Sequence, residues 1–454
     1  MVKLIKGGTV VNADGCKRAD VLIEDEVIAC VGERPVNVDE VIDASGCYVF
    51  PGFIDTHTHF DLDLGTVTTA DDFKTGTLSA LLGGTTTVLD FATQERGGTL
   101  EQALAAWHKK ALGSACNYGF HMAIASWNER TFKEMETMSR LGVTSYKMYM
   151  VYEGLRMDDG SIYSAMKRAN DVGAIIGMHC ENWDVLKKMI DEVKQAGVTK
   201  AYGHPLSRPD TVEAEAIARY MRIAELAKAP SYVVHLSTRE GLYEANRARS
   251  RGQKVYLETC PQYLILTDDC YLEPDGAKFV MSPPLRKKED NDALWDAIKN
   301  HEIDFIGTDH CSFTMEQKDL GREDFSKIPN GSAGVQDRAR LIFTYGVKKG
   351  CLTLEDMAGL LSENAARLFG MYPKRGVIKE GSVADIVVWD PKSTGRISFR
   401  TNAHNCDNSP YEGICYAGTA KHVLLGGIHA VKDTTAVVKN AGSFIIRDRC
   451  GFYR

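Results

Sequence analysis

The stretch Gly52-Phe-Ile-Asp-Thr-His-Thr-His59 joins an apolar strand pattern to a pair of histidines. Alternate residues of a strand point to the same side, so His57 and His59 can both approach one ion. A single histidine at the end of a strand is more often a hydrogen-bonded core residue, but two imidazoles at this spacing suit a shared metal. The stretch therefore indicates a buried strand that ends in metal ligands.

The middle of the chain repeats this strand pattern and alternates it with amphipathic helical stretches, such as those over 183–196, 211–227 and 290–300. Short β-branched runs that alternate with helices are typical of βα units and a parallel sheet. Eight such units predict the α/β class and a (β/α)8 TIM-type barrel, with an open doubly wound sheet as the alternative. The predicted strands are 52–57, 85–90, 118–124, 145–149, 174–179, 231–235, 254–258 and 304–309.

The two ends of the chain share a different pattern. Short runs of alternating apolar and polar residues, such as Asp20-Val-Leu-Ile-Glu24 and Asp385-Ile-Val-Val-Trp-Asp390, are separated by turn signals. This pattern is typical of packed β-sheets. We expect residues 1–52 and 373–454 to form one small β-sandwich domain, and residues 53–372 to form the barrel as the catalytic domain.

Ionisable residues fall at the ends of five predicted strands. The carboxyl ends of barrel strands converge at one mouth, so residues far apart in sequence would share one pocket. Imidazoles and carboxylates are costly to bury without a partner. Such ligands suit zinc, and manganese, iron or nickel stay possible occupants. Because six positions exceed one tetrahedral ion, two divalent metals are expected. The six residues are His57, His59, Lys147, His179, His235 and Asp309.

Two of these residues have alternative interpretations. Asp309 precedes His310-Cys-Ser312 and could equally be a helix N-cap. Lys147 lies in an apolar strand, where an ammonium group cannot bind a cation. Reaction with carbon dioxide would convert its amine into a carbamate, a carboxylate that bridges two metals, and burial makes the amine more reactive by lowering its pKa. The hypothesis is that Lys147 is an N6-carboxylysine.

The composition excludes several classes of protein. The 454 residues are 44% apolar and 25% charged, as in a globular protein, and the formal net charge of −7 disfavours nucleic acid and anionic membranes. No apolar run approaches the roughly 20 residues that span a bilayer. The 12 cysteines form no C-x-x-C pair and no targeting signal is recognisable, which predicts reduced thiols in the cytoplasm.

The chain resembles the hydantoinase/dihydropyrimidinase family of cyclic amidases, in the amidohydrolase superfamily. The resemblance extends over nearly the whole chain, in family order. The matching stretches are Pro51-Gly-Phe-Ile-Asp-Thr-His-Thr-His-Phe60, Thr69-Ala-Asp-Asp-Phe73, Gly83-Gly-Thr-Thr-Thr87, Ser145-Tyr-Lys-Met-Tyr-Met-Val-Tyr152, Met178-His-Cys-Glu-Asn182, Val234-His-Leu-Ser237, Glu258-Thr-Cys-Pro-Gln-Tyr263, Met281-Ser-Pro-Pro-Leu-Arg286, Gly307-Thr-Asp-His310 and Ile328-Pro-Asn-Gly331.

The resemblance implies a role for each ligand. His57, His59 and Asp309 would bind one metal and His179 and His235 the other, with carboxylated Lys147 between the two ions. A metal-activated hydroxide would attack the amide carbonyl of a 5-substituted hydantoin or dihydropyrimidine, with Asp309 transferring the proton, and would leave an N-carbamoyl amino acid.

The resemblance also implies substrate contacts. Tyr152 would stabilise the oxyanion, and the backbone groups of Ser282 and Asn330 would hold the imide face of the ring. Without the family, Tyr152 would be interpreted as a core or rim tyrosine, and Ser282 and Asn330 as turn residues before Pro283 and Gly331. The family further implies a homotetramer or homodimer.

Two residues depart from the family pattern near the substrate. Arg156 stands where a bulky apolar residue is usual, and Tyr149 stands where Phe is common. With Leu62 and Leu64 they would frame a partly polar pocket for the ring substituent. One hypothesis is that Arg156 favours a substituent with an acid or hydroxyl group, and the alternative is an arginine that faces solvent.

Other functions stay open to different degrees. A dihydroorotase generally has an arginine two residues after the His-x-His pair, where this chain has Asp61. An allantoinase is harder to exclude. The non-catalytic dihydropyrimidinase-like assembly proteins have lost metal ligands, whereas all six positions are present here. A nucleic-acid binder finds no support in the negative charge.

Overall fold

The structure is a computed structural model that describes residues 1–32 and 37–453. These residues form a four-stranded, an eight-stranded and a seven-stranded sheet. Residues 33–36 and 454, which belong to the predicted terminal domain, lie outside the described residues.

Short strands open the chain: β1 Val2–Lys6, β2 Thr9–Asn12, β3 Gly15–Arg18, β4 Val21–Glu24, β5 Val27–Val31, β6 Glu40–Asp43 and β7 Tyr48–Pro51. Four of them form a sheet in the order β5-β4-β1-β6, in which β4 is antiparallel and β6 parallel to β1. The other three enter a second sheet, which the C-terminal strands complete.

The described residues then supply eight parallel strands: β8 Phe53–Thr58, β9 Thr85–Thr93, β10 Asn117–Ala123, β11 Ser145–Tyr149, β12 Ile175–His179, β13 Ser231–Val233, β14 Val255–Thr259 and β15 Phe305–Ile306. Each strand pairs with the next along the chain. Between the last strand and the first, Thr58 pairs with His310, and buried Arg338 donates to the carbonyls of Ile54 and Ile306 at 2.8 and 2.9 Å. The predicted barrel is confirmed.

Two barrel strands are shorter than predicted. The strand predicted over 231–235 ends at Val233, and the one predicted over 304–309 ends at Ile306. His235 and Asp309 have φ angles of 40° and 53°, in the left-handed region that a regular strand does not use. Both side chains therefore project from backbone that has just left the sheet.

Helices surround the barrel, and those predicted over 183–196, 211–227 and 290–300 are present as the fifth, seventh and tenth. The helices are α1 Phe73–Leu82, α2 Leu100–Lys110, α3 Glu129–Arg140, α4 Asp159–Asp171, α5 Trp183–Gln195, α6 Gly203–Leu206, α7 Asp210–Ala227, α8 Arg239–Ser250, α9 Pro261–Ile265, α10 Lys288–Lys299, α11 Met315–Lys318, α12 Arg338–Ile342, α13 Leu354–Ala358 and α14 Asn364–Leu368. Short 3-10 and π-helical turns lie at Asp268–Leu272, Gly276–Phe279, Asp319–Gly321, Phe325–Lys327, Phe343–Val347 and Gly359–Glu363. Within residues 1–32 and 37–453, none of the helices has the length and apolarity needed to cross a membrane.

The C-terminal strands join the N-terminal ones. They are β16 Ile386–Arg396, β17 Cys415–Leu425, β18 Ile428–Lys432 and β19 Thr435–Ala436. The resulting seven-stranded sheet has the order β19-β18-β17-β16-β7-β2-β3, and its centre is the antiparallel pair β16 and β7. Buried apolar side chains from both sheets form one core, among them Ile5, Ile23, Val388 and Leu424. The predicted small β-sandwich from both termini is confirmed.

The tail that follows β19 runs along the barrel instead of joining the sandwich. The amide of Ile445 donates to Tyr118 O at 2.8 Å, and Arg447 Nη1 donates to Ser145 Oγ at 2.9 Å. Tyr118 and Ser145 lie at the amino ends of β10 and β11. The tail therefore covers the end of the barrel opposite to the strand ends that carry the predicted ligands.

Candidate active site

A cavity of about 340 Å³ opens at the carboxyl ends of the barrel strands. Every site residue predicted from the sequence lines it, with the exception of Arg156. Four residues that were not predicted as site residues also line it, namely Gly154, Leu155, Cys311 and Gly331. The predicted members are His57, His59, Leu62, Leu64, Lys147, Tyr149, Tyr152, His179, His235, Ser282, Asp309 and Asn330.

His57, His59 and Asp309 converge on one point of this cavity. Asp309 Oδ1 lies 3.1 Å from His57 Nε2 and 3.2 Å from His59 Nε2. One ligand atom from each residue lies within 4.8 Å of the other two. Two imidazole nitrogens and a carboxylate oxygen in this arrangement fit a divalent transition metal.

Lys147 lies beside this group, in the middle of β11. Its Nζ is 3.4 Å from His57 Nε2, and its side chain is buried. Burial lowers the pKa of Lys147 to about 8, although the Asp309 and Glu258 carboxylates oppose the shift. The amine is therefore less basic than that of an exposed lysine.

His179 and His235 form the other side of the group. Their ring centroids are 4.5 Å apart, and the His235 ring is 5.3 Å from that of His57. His235 Nδ1 is buried without a hydrogen-bond partner. A buried imidazole nitrogen without a hydrogen-bond partner is costly unless it binds something else, so this atom could serve as a ligand of a second metal.

Three of these cavity residues have strained backbone. The φ angles of Tyr152, His235 and Asp309 are 68°, 40° and 53°, a region that non-glycine residues rarely adopt. Residues held in such conformations cluster at functional sites, where the surrounding structure fixes them. Tyr152 lies close to the predicted metal ligands, since its ring is 5.4 Å from the ring of His179. Burial raises the pKa of Tyr152 to about 12, so its hydroxyl keeps the proton that it would donate to an oxyanion.

Glu258 is a functional candidate that the sequence analysis missed. Its Oε1 lies 2.7 Å from His57 Nδ1, and its carboxylate also accepts bonds from Thr56, Tyr232 and the backbone amide of His235. Burial raises the pKa of Glu258 to about 7. A carboxylate on one imidazole nitrogen orients the other nitrogen toward a metal. The signal was present, because Glu258 ends a predicted strand as the ligands do.

Glu181 has a comparable position behind His179. It lies 2.7 Å from His179 Nε2 and 2.7 Å from the buried Arg208 guanidinium. Burial alone would raise the pKa of the Glu181 carboxyl, but Arg208 and His179 hold it well below its usual range. A fixed negative charge therefore contacts this histidine. No sequence pattern identified it, since Arg208 comes from a loop between α6 and α7.

Leu62 and Leu64 lie on the loop that follows β8. Leu62 N donates to Thr69 Oγ1 at 3.0 Å, and Leu64 N donates to Val67 O at 2.9 Å. Leu64 is exposed although it lines the cavity, so it lies at the opening. At the opening of the cavity, these apolar side chains would lie against the substituent of a ring substrate.

The structure does not bring Arg156 to the cavity. Its backbone amide donates to Tyr152 O at 2.7 Å within a tight turn, and Leu155 takes the place at the cavity wall. The guanidinium is exposed and lies 2.7 Å from Asp184 Oδ1 on α5. This arrangement matches the solvent-facing alternative for Arg156 because its charge is already paired outside the pocket.

Comparison with known proteins gives consistent results. The Amidohydrolase family matches residues 48–428 of the chain. D-hydantoinase from Geobacillus stearothermophilus is 42% identical over 463 residues, which cover 99% of this chain and 98% of that protein. D-phenylhydantoinase from Escherichia coli O9:H4 (strain HS) is 41% identical, with 98% of each chain covered. The crystal structure of dihydropyrimidinase from Brevibacillus agri NCHU1002 matches with a TM-score of 0.97 and 41% identity over 99% of both chains.

The chain therefore belongs to the amidohydrolase family, whose members are metal-dependent hydrolases. Within this family it belongs with the hydantoinases and dihydropyrimidinases, because the similarity extends over almost the full length of both chains. The family predicted from the sequence motifs is confirmed.

Proposed function

We propose that the protein opens a cyclic amide ring, either a 5-substituted hydantoin or a dihydropyrimidine, to an N-carbamoyl amino acid. The observation that carries this proposal is the position of Lys147, 3.4 Å from His57 in a cavity that His59 and Asp309 also line. The names of the similar proteins point to the same chemistry.

The proposed metal ligands are the six predicted residues. His57, His59 and Asp309 would hold one divalent ion and His179 and His235 the other, with zinc as the proposed metal. Lys147 would bridge them as N6-carboxylysine, and its buried amine with a lowered pKa supports this modification. When bound, such ions supply Lewis acidity and a water of lowered pKa.

The chain's own groups would carry out the remaining steps. Asp309, at the ligand cluster, would take a proton from the attacking water and deliver it to the departing ring nitrogen. The Tyr152 hydroxyl would donate to the oxygen that becomes negative in the transition state. Backbone groups of Ser282 and Asn330 would hold the imide face, and Leu62, Leu64 and Tyr149 would contact the substituent.

The proposal also covers the oligomeric state and the cellular compartment of the enzyme. We expect a homotetramer or homodimer, as the family resemblance implies. The 12 cysteines are all free thiols, which supports a reducing compartment such as the cytoplasm.

A substrate panel on metal-analysed protein tests the proposal. The panel contains dihydrouracil, both enantiomers of a 5-phenyl and a 5-carboxymethyl hydantoin, and allantoin, with the N-carbamoyl product measured by chromatography. We expect about two metal ions per chain and a clear preference for a hydantoin or dihydrouracil over allantoin, and chelator-stripped protein is the control. Turnover of allantoin alone would identify an allantoinase instead. A metal-loaded protein that opens none of these rings would favour a non-catalytic assembly protein.

A further inference from the structure

A second buried lysine, Lys318, ends the short helix α11. Its side chain has no exposed surface, and its Nζ donates to three backbone carbonyls: Val280 O at 2.8 Å, Pro329 O at 2.7 Å and Gly331 O at 2.7 Å. An ammonium group has three N–H donors, so each donor has one acceptor. The lysine is therefore fully hydrogen-bonded without a carboxylate at these contacts.

The three carbonyls belong to the two segments that carry Ser282 and Asn330. Val280 lies two residues before Ser282, and Pro329 and Gly331 flank Asn330. The segments also contact each other directly, because Gly331 N donates to Val280 O at 3.0 Å. We call residues 280–282 and 329–331 together the imide clamp. The Nζ atom of Lys318 therefore donates hydrogen bonds to both segments of the imide clamp.

The charge of Lys318 suits this role. Burial lowers the pKa of Lys318 to about 7. The three carbonyl oxygens at 2.7 to 2.8 Å accept hydrogen bonds from Nζ, and such contacts favour the ammonium form. An apolar side chain of the same length would remove the donor to the carbonyls of Pro329 and Gly331 and would leave Val280 O only its bond from Gly331 N, which is unfavourable. The contacts therefore favour a cation at this point.

The helix that carries Lys318 is itself fixed at the cavity. Gln317 Nε2 donates to Thr68 O at 2.7 Å, on the loop that carries Leu62 and Leu64. Thr314 caps the helix, and Met315 N donates to Asp407 Oδ1 at 2.8 Å. One helical turn thus contacts both the loop at the opening and the imide clamp.

We propose that Lys318 is a positioning residue, which holds the backbone of Ser282 and Asn330 at the spacing that the imide of the substrate ring requires. This role rests on the proposed function. Lys318 does not line the cavity and does not act on the reacting atoms. Its effect would be on substrate binding, since the clamp would hold the ring equally before and during the reaction.

The kinetic test compares Lys318→Met with Lys327→Met, a matched exposed lysine three residues before Asn330. With dihydrouracil as substrate, we expect Lys318→Met to raise KM at least about tenfold and to change kcat less than about threefold, because uniform binding is lost. Metal content should equal that of the wild type. Lys327→Met should leave both constants unchanged. A merely structural lysine would instead lower the active fraction, which reduces kcat and leaves KM as it was.

A rescue experiment asks whether the three carbonyls need a cation. Lys318→Ala removes the side chain and leaves space beside them, so ammonium chloride should lower the raised KM toward the wild-type value. Tetramethylammonium chloride at the same ionic strength has no N–H donor and should not. Lys318→Arg keeps the charge with a different shape, and should fall between the wild type and Lys318→Ala.

Hydrogen exchange by mass spectrometry gives a readout that needs no turnover. Peptides that span 280–285 and 328–333 should exchange faster in Lys318→Ala than in the wild type, and ammonium should slow them again. Unchanged exchange in both peptides, or a dihydrouracil KM within twofold of the wild type in folded Lys318→Met, would overturn the role of Lys318. A wild-type protein that opens no ring would refute the proposed function instead, and the exchange result would still decide whether Lys318 fixes the clamp.

Discussion

Lys147 and Lys318 are both buried lysines within the same barrel, but their surroundings differ in kind. Lys147 Nζ has a single imidazole nitrogen at 3.4 Å, which is long for a hydrogen bond to an ammonium group. Lys318 Nζ has three carbonyl oxygens at 2.7 to 2.8 Å. The Lys147 amine therefore has a poor hydrogen-bond environment for an ammonium group, whereas each N–H group of the Lys318 ammonium has its own acceptor.

Burial lowers the pKa of both lysines, so the difference between them lies in the acceptors around each amine. Carbonyl oxygens can only accept hydrogen bonds, so they favour an ammonium group. Imidazole and carboxylate groups that gather around metals favour an anion between the metals, which the amine of Lys147 can provide only after carboxylation. Under the proposed carboxylation of Lys147, the two side chains would carry opposite charges.

The largest effect should follow from removing Lys147. We expect Lys147→Ala to lose turnover of the ring substrate by more than about a thousandfold and to lose bound metal, because the proposed bridging carboxylate is gone. Added acetate or propionate should restore part of the activity, and ammonium should restore none. Kinetics and metal analysis of the same samples measure both effects.

Lys318→Ala is the matched partner in this experiment. It should respond to ammonium and not to acetate, so the two variants should show crossed rescue. Restoration of Lys147→Ala by ammonium would contradict the comparison, since Lys147 would then act as a cation. Full metal content in protein prepared without carbon dioxide would contradict the carboxylation of Lys147.

Asp309→Asn removes the charge of the acid in the ligand group and keeps its size. We expect turnover to fall at least about a hundredfold, because the amide cannot accept the proton of the attacking water. Circular dichroism should show an intact fold, and metal content should be measured for each sample. Activity close to that of the wild type would remove Asp309 from the proton transfer.

The sequence predicted much of the metal side of the cavity. His57 and His179 lie at the ends of their strands, Lys147 lies within β11 and His235 lies just after β13. The barrel topology brings the carboxyl-end regions of parallel strands together wherever they lie in the chain. Periodicity is enough to identify the strands, so a chemically unusual residue at the end of each one stands out. For this reason the architecture and the neighbourhood of these residues could be inferred without coordinates.

The positions of side chains in the loops and short helices around these predicted ligands could not be inferred in the same way. Lys318 lies in a short helix within a long connection, where no period indicates which carbonyls its amine will meet. Arg156 is a candidate for the pocket from its place in the family pattern, with a solvent-facing side chain as the alternative. The turn at Tyr152 and the partner Asp184 direct its side chain outward. Contacts between loops depend on tertiary packing, which a single sequence does not encode in a readable pattern.

Like Lys318, the buried side chain of His204 contacts a backbone carbonyl of the imide clamp, and its effect on stability should depend on pH. Its Nε2 lies 2.8 Å from Met281 O in the imide clamp, and burial together with Arg208 lowers the pKa of His204 to about 3. The unfolded chain therefore binds one more proton than the folded chain between about pH 6.5 and pH 3, and this side chain makes the protein less stable as pH falls through that window. Its share of the slope is at most about 1.4 kcal/mol per pH unit.

We expect His204→Gln to flatten the pH dependence of the unfolding free energy within this window, whatever its effect on stability at pH 7. Denaturant titrations at several pH values measure the slope. An equal slope in wild type and His204→Gln would show that His204 is not held neutral by its surroundings.

Arg156 should give the smallest effect, since its side chain is exposed to solvent and paired with Asp184. Exposed ion pairs such as that between Arg156 and Asp184 contribute little, because water and salt screen them. We expect Arg156→Leu to change the preference between a 5-carboxymethyl and a 5-phenyl hydantoin by less than about twofold, as measured by the ratio of kcat/KM. A large shift toward the phenyl substrate would mean that Arg156 leaves Asp184 and turns into the pocket when substrate binds. An exposed cation would then control substrate specificity, and burial would no longer separate the charged side chains that affect substrate preference from those that do not.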